Sequence, residues 1–236
     1  MMQFRKSQER GHANHGWLDS YHSFSFAEYY DSAHMHYSVL RVINEDRVAP
    51  AMGFGMHPHQ NMEIITYMLA GELRHQDSMG NGSVIREGDV QRMTAGSGIR
   101  HSEVNASAET EAHLLQIWLL PEQDNLPPSY EDKHIARDRK LNQWALIASN
   151  DARESSLKIH QDVAVWASIL QQGKTLDYEI KSERCVYFHL ALGQLTLNGH
   201  MLLAGDAVMI NDEAALALSA ELESEFLLFD LPDLKN

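Results

Sequence analysis

What most limits the fold of this chain is its punctuation: short apolar runs recur throughout, each bounded by Gly, Asn or Asp. Residues 38–43, 64–69, 114–119, 186–192 and 226–231 are runs of this kind. They are rich in Ile, Val, Tyr and Phe, which suit a pleated, half-buried surface. Helical periodicity is scarce, and only residues 141–148 predict a short helix. Many short strands must stack or close their sheets to bury one face, so the pattern predicts an all-β protein of the sandwich or barrel kind.

The rhythm breaks once, between residues 121 and 140. Pro121, Pro127 and Pro128 are half of the 6 prolines, and charged side chains crowd the rest of the segment, which predicts a linker. The flanking segments share landmarks. Gly71-Glu72-Leu73 ends a strand in the first and Gly193-Gln194-Leu195 in the second. Gly88-Asp89-Val90 and Gly205-Asp206-Ala207 each open another. We read an internal duplication: a first barrel over residues 1–125, a linker over 126–140 and a second barrel over 141–236. A chain of 236 residues is long enough for both.

Composition removes several function classes. The 33 acidic side chains outnumber the 19 basic ones, and a net charge of −14 repels phosphate backbones, so direct nucleic-acid binding is not expected. No stretch is long and apolar enough to span a membrane, and Met1-Met2-Gln3-Phe4-Arg5-Lys6 is followed by polar residues rather than the apolar run of a secretory signal. A single cysteine, Cys185, excludes an intrachain disulfide and suits a reducing compartment, so a cytoplasmic location is expected. Cys185 opens an apolar run and reads as a small buried hydrophobe. Trp17, Trp118, Trp144 and Trp166 read as packing residues. The histidines stand apart: there are 14, and 10 of them precede residue 121. Chemistry is expected in the first half.

His57-Pro58-His59 is the leading constellation. Residues i and i+2 of a strand share a face, so both imidazoles can reach one point. That spacing arises by chance in a chain with this many histidines, and His34-Met35-His36 is read as such a case. A second pair at the same spacing, His101-Ser102-Glu103, distinguishes the first. Two pairs on neighbouring strands supply three imidazoles and a carboxylate, a set suited to Fe(II), Ni(II), Cu(II), Mn(II) or Zn(II). In an octahedral field it leaves two adjacent positions open. Gly96 and Gly98 predict a tight turn ahead of the second pair, and Pro58 suits a strand edge. The structural alternative is that these side chains satisfy backbone groups inside a polar barrel.

The run His57-Pro58-His59-Gln60-Asn61-Met62-Glu63, with Gly71-Glu72, His75-Gln76-Asp77-Ser78 and the block from Gly88 to Glu103, closely resembles the pirin family of the cupin superfamily. Arg10-Gly11-His12, Trp17-Leu18, Phe24-Ser25-Phe26 and Leu40-Arg41-Val42-Ile43-Asn44 look like the same family's opening. The resemblance implies a bicupin, two jelly-roll barrels packed together, with one mononuclear metal, usually iron, in the first. It carries the ligands onto His57, His59, His101 and Glu103. It also implies two functions: a quercetin 2,3-dioxygenase-like activity on a flavonol with O₂, or a metal- and redox-dependent regulatory protein that binds a protein partner. The general cupin pattern places a carboxylate ligand near Glu63, whereas the pirin pattern uses Glu103. We side with Glu103, whose i, i+2 relation to His101 gives the right facing. Glu63 then becomes a substrate-contacting or supporting residue, and Glu103 and Glu63 are the two candidates for a catalytic base. Alignment on the shared glycines puts Glu179, Lys181, Leu218 and Ala220 in the ligand positions of the second barrel, which is therefore expected to hold no metal. His75 and His113 are expected near the site.

Overall fold

The apolar runs become strands, and strands are almost all of the regular secondary structure in the computed structural model, which describes residues 1–234. The chain forms two units. The first comprises Gly11–Ile135 and Leu157–Gln161; the second comprises Met1–Arg10, Ala136–Ser156 and the chain from Asp162 onward. The first strand, β1 (Met2–Arg5), belongs to the second unit.

The first unit continues with β2 (Gly11–Asn14), β3 (Leu18–His22), β4 (Leu40–Val48), β5 (Gly53–His59), β6 (Glu63–Ala70) and β7 (Glu72–Asp77). Then come β8 (Gly82–Arg86), β9 (Asp89–Thr94), β10 (Ile99–Asn105), β11 (Ala112–Leu119) and β12 (Ser129–His134). Its larger sheet runs β12-β9-β6-β11-β4-β3-β2 and its smaller one β5-β10-β7-β8. Every pairing is antiparallel. Leu18, Val48, Met68, Leu73, Ile85, Ala112 and Leu114 form one buried apolar cluster. Ile64, Met93, Ala95 and Ile99 form another.

The second unit adds β13 (Ala145–Ser149), while β14 (Leu157–Lys158) falls among the first unit's residues. Next are β15 (Ala164–Leu170), β16 (Thr175–Glu179), β17 (Arg184–Leu192) and β18 (Gln194–Leu197). The last are β19 (His200–Leu203), β20 (Ala207–Ile210), β21 (Ala215–Ala220) and β22 (Ser224–Pro232). One sheet takes the order β1-β20-β17-β22-β15-β13, the other β16-β21-β18-β19. Apart from β2, this repeats the first unit strand for strand, with β1 in the place of β12 and β16 in that of β5. The duplication read from the glycines is thus a duplication of topology. Both units are jelly rolls: each faces a larger antiparallel sheet with a smaller one.

Three expectations need correction. The segment 126–140, read as a linker, contains β12, paired along its length with β9. Residues 1–10 were assigned to the first barrel, yet β1 pairs with β20. The helix expected over 141–148 is instead β13, preceded by a single helical turn at Arg137–Lys140. No helix among the described residues is long and apolar enough to cross a membrane.

Candidate metal centre and its cavity

β5 is the edge strand of its sheet, a position that tolerates Pro58, which has no N–H to give to a ladder. His57 and His59 share a face of this strand. β10 pairs with it, setting His101 opposite His57 and Ile99 opposite His59. The register shifts between His101 and Glu103, where the two backbones come close. A Cβ on Gly53 would lie 2.2 Å from the carbonyl oxygen of Glu103, so only glycine fits there. The turn ahead of β10 has a similar demand: Gly96 has φ +47°, and a Cβ on it would lie 1.9 Å from Leu126 O.

The ring nitrogens of His57, His59 and His101 come within 4.8 Å of one another. His57 Nδ1 donates to Gly55 O at 2.7 Å, which turns its Nε2 inward, 3.0 Å from His101 Nε2. Burial, reinforced by the neighbouring imidazoles, pushes His59 down to about 4 and His101 down to about 3. Both are therefore neutral near pH 7, with lone pairs available. The donor set fits a divalent transition metal: neutral imidazoles converge, and one has its tautomer fixed by a backbone carbonyl.

His75 supports this group from β7. It is fully buried, its Nδ1 lies 3.4 Å from His101 Nδ1, and its Nε2 lies 3.4 Å from Asp77 Oδ2. With both nitrogens engaged, it orients His101. Its ring stacks on Tyr130 of β12, centroids 4.5 Å apart. The ligand-type atoms of His75, His101 and Glu103 form a second cluster within 4.8 Å.

Glu103 is held by a row of polar residues crossing the larger sheet. His22, Asn44, Gln116, Thr66 and Gln91 stand in register on β3, β4, β11, β6 and β9, and all are buried. Gln116 Nε2 donates to Glu103 Oε2 at 2.8 Å. Thr66 Oγ1 and Gln91 Nε2 each donate to Oε1 at 3.2 Å. Tyr130 Oη lies 3.1 Å from Gln91 Oε1 and extends the network. A buried carboxylate with this many donors stays in place without a counter-charge.

His57, His59, His101 and Glu103 line one cavity of about 730 Å³ inside the first unit. Trp17, Phe26, Phe54, Ile64 and Trp118 give it apolar walls, large enough and flat enough for a planar aromatic ligand. Trp17 and Trp118, read from sequence as packing residues, thus face the cavity.

The structure turns Glu63 away. Ile64 and Thr66 of β6 face the interior, so Glu63 points to the opposite side of the sheet. There its carboxylate takes hydrogen bonds from Thr94 Oγ1 at 3.1 Å and the His160 backbone N at 3.3 Å. It has no place in the cavity wall and cannot serve as a base there. His113 also lies outside that wall, with Nε2 3.0 Å from Glu45 Oε1. His34 and His36 bind locally, to Asp31 and to the Ser38 carbonyl. In the second unit, Leu218 and Ala220 are buried, but Glu179 and Lys181 are exposed. The residues of β16 that pack on that unit's core are Leu176 and Tyr178, so the glycine alignment was out of register there.

Paired jelly rolls with inward histidines on two adjoining strands of one barrel define a protein of the cupin class. Within it, the chain belongs to the pirin family. The family model described as Pirin matches residues 3–119, and the one described as quercetinase C-terminal cupin domain matches residues 146–231. The chain is 47% identical over 232 residues to the quercetin 2,3-dioxygenase of Escherichia coli (strain K12), covering 98% of this chain and 99% of that one. A pirin-like protein of Caulobacter vibrioides is 40% identical over 221 residues, 93% of this chain and 95% of its own. The crystal structure of bacterial pirin YhhW from Escherichia coli in complex with nickel(II) superposes with a TM-score of 0.94 at 46% identity. That match covers 99% of this chain and 100% of the other.

Proposed function

We propose that the protein is a dioxygenase that holds one divalent metal ion on His57, His59, His101 and Glu103 and opens the ring of a flavonol such as quercetin. The observation that carries this reading is the convergence of three imidazoles, two of them held neutral by burial, on the wall of an aromatic-lined cavity. The quercetin 2,3-dioxygenase activity named for a relative 47% identical over nearly the whole chain supports it. We take Fe(II) as the ion, in keeping with dioxygen chemistry on a histidine and carboxylate set, and the nickel(II) complex of the related YhhW supports divalent-metal binding in this fold.

A metal held there supplies Lewis acidity toward a ligand hydroxyl and a redox centre for dioxygen. The chain's own residues do the rest. Burial keeps His59 and His101 unprotonated, Gly55 fixes the tautomer of His57, and His75 holds His101 in orientation. The polar row holds Glu103, and the aromatic walls exclude water and align a flat ring system.

The test is oxygen uptake by anaerobically Fe(II)-loaded protein on addition of quercetin, beside metal-stripped protein. Metal-dependent uptake, one dioxygen per quercetin, is the expected result. No uptake with the metal verified as bound would refute the dioxygenase.

A further inference from the structure

The cavity has a second polar wall that the metal residues do not use. Ser20 and His22 on β3 stand directly opposite Asp46 and Asn44 on β4, and all four are buried and line the cavity. They form a two-by-two block of side chains on one face. Ser20 Oγ donates to Asp46 Oδ1, and His22 Nε2 lies 2.9 Å from Ser20 Oγ. Because the serine proton points at Asp46, the histidine N–H points at the serine oxygen. The string therefore runs His22 to Ser20 to Asp46 and ends on the carboxylate. Beside it, Asn44 Oδ1 is buried with no hydrogen-bond partner. Trp118 Nε1, also in the cavity wall, likewise has none. Polar atoms left unpaired in a cavity wall are costly unless a ligand completes them.

We infer that Asp46 is the proton acceptor for a ligand hydroxyl in this cavity, with Ser20 and His22 positioning its carboxylate and Asn44 receiving a neighbouring hydroxyl. The inference rests on the dioxygenase reading and supplies the base that Glu63 cannot be. In the step, the flavonol O–H bond breaks and an Asp46 O–H bond forms; the electron pair stays on the flavonol oxygen, and no further reactant is needed. The surroundings suit the task. Burial raises the Asp46 carboxyl to about 7; the Ser20 hydrogen bond opposes the rise, and the charges of Glu103 across the barrel and Glu45 on the same strand add to it. Of the other neighbours, β3 contributes Ser20 and His22, and β11 contributes Leu114, opposite Asp46. A base whose proton affinity sits near neutral pH is well matched to a phenolic hydroxyl. Below that range Asp46 is already protonated and cannot accept, so ionisation of bound ligand falls as pH falls.

The experiment adds quercetin anaerobically to metal-loaded protein and follows the long-wavelength absorption of the ionised flavonol from pH 5.5 to 9. Metal content is measured on each sample, and turnover is measured afterwards in air. In the wild type, bound quercetin ionises with a midpoint near neutrality. Asp46→Asn, close in shape, keeps its metal and binds quercetin, but its midpoint moves up by about one unit or more. Its turnover at pH 7 falls about 100-fold or more, the scale of general-base catalysis. Ser20→Ala removes a hydrogen bond that favours the charged carboxylate, so its midpoint moves up by less. It decides the matter alone if Asp46→Asn does not fold. Wild-type turnover with unshifted midpoints in the variants overturns the role of Asp46 and leaves the dioxygenase standing. A wild type that neither binds nor consumes quercetin overturns both.

Discussion

The two jelly rolls share one strand order, yet the interior of one is a cavity and that of the other an apolar core. The difference is concentrated in a single row. In the first unit, Asn44, Gln116, Thr66 and Gln91 lie side by side across the larger sheet. The corresponding strands of the second carry Trp166, Leu228, Phe188 and Val208 in the same register. Leu146 on β13, opposite Trp166, takes the place of His22. Facing that row, the first unit presents His57, His101 and Glu103, the second Leu176, Leu216 and Leu218. Polar side chains that hold one another apart leave room for a ligand, while large apolar ones fill it to close packing. The scaffold is common to both units, and the row decides between a site and a core.

The strongest test of the contrast is to remove one ligand. His101→Ala is expected to abolish stoichiometric metal binding and metal-dependent oxygen uptake, measured by elemental analysis and an oxygen electrode, while circular dichroism still reports a β-rich fold. Bound metal at the wild-type level would move the centre elsewhere. The next effect belongs to the second barrel. Phe188 is fully buried, and Phe188→Ala should cost about 3–5 kcal/mol in denaturant unfolding. Metal content should not change. A loss of metal there would mean that the two interiors are not independent in function.

What sequence could reveal follows from how far apart the informative residues lie. Runs of alternating strands and turns are local, so the β class and the duplication were legible. The i, i+2 pairs at His57 and His101 were legible for the same reason. The misses at the domain boundary are edge strands. β12 reads Ser-Tyr-Glu-Asp-Lys-His and was taken for a linker, but charged side chains are what an edge strand tolerates. Its Tyr130, which braces both His75 and Gln91, was lost with it. β13 is a short apolar segment of the length at which helix and strand patterns cannot be told apart. The polar row was invisible because its five members come from five strands and meet only through register. Glu63 failed by parity: it lies close to His59 in sequence, but it is one residue away from the face that Ile64 and Thr66 present.

The row itself can be tested by importing the second barrel's residue into the first. Gln116→Leu places a leucine where the other interior has Leu228, and it removes the 2.8 Å hydrogen bond to Glu103. Metal affinity should fall roughly 10- to 100-fold, the usual cost of losing a ligand's supporting hydrogen bond. A competitive chelator titration would read it. An unchanged affinity would separate Glu103 from the metal and leave the three imidazoles alone as its ligands.

The smallest effect expected is also the sharpest on facing. Glu63 is fully buried, its carboxyl is raised by burial, and its bonds go to Thr94 and His160, outside the cavity. Glu63→Gln keeps the shape and leaves an oxygen to accept from Thr94. Turnover of quercetin and its pH profile should therefore stay within about twofold of wild type, since a role in proton transfer typically contributes 100-fold or more. A large fall in kcat would require the strand to present its other face during catalysis. Because a one-residue slip reverses every side chain on β6, Thr66 would then leave Glu103 at the same moment. Metal affinity and turnover would have to fail together, and a loss of turnover alone could not come from this strand.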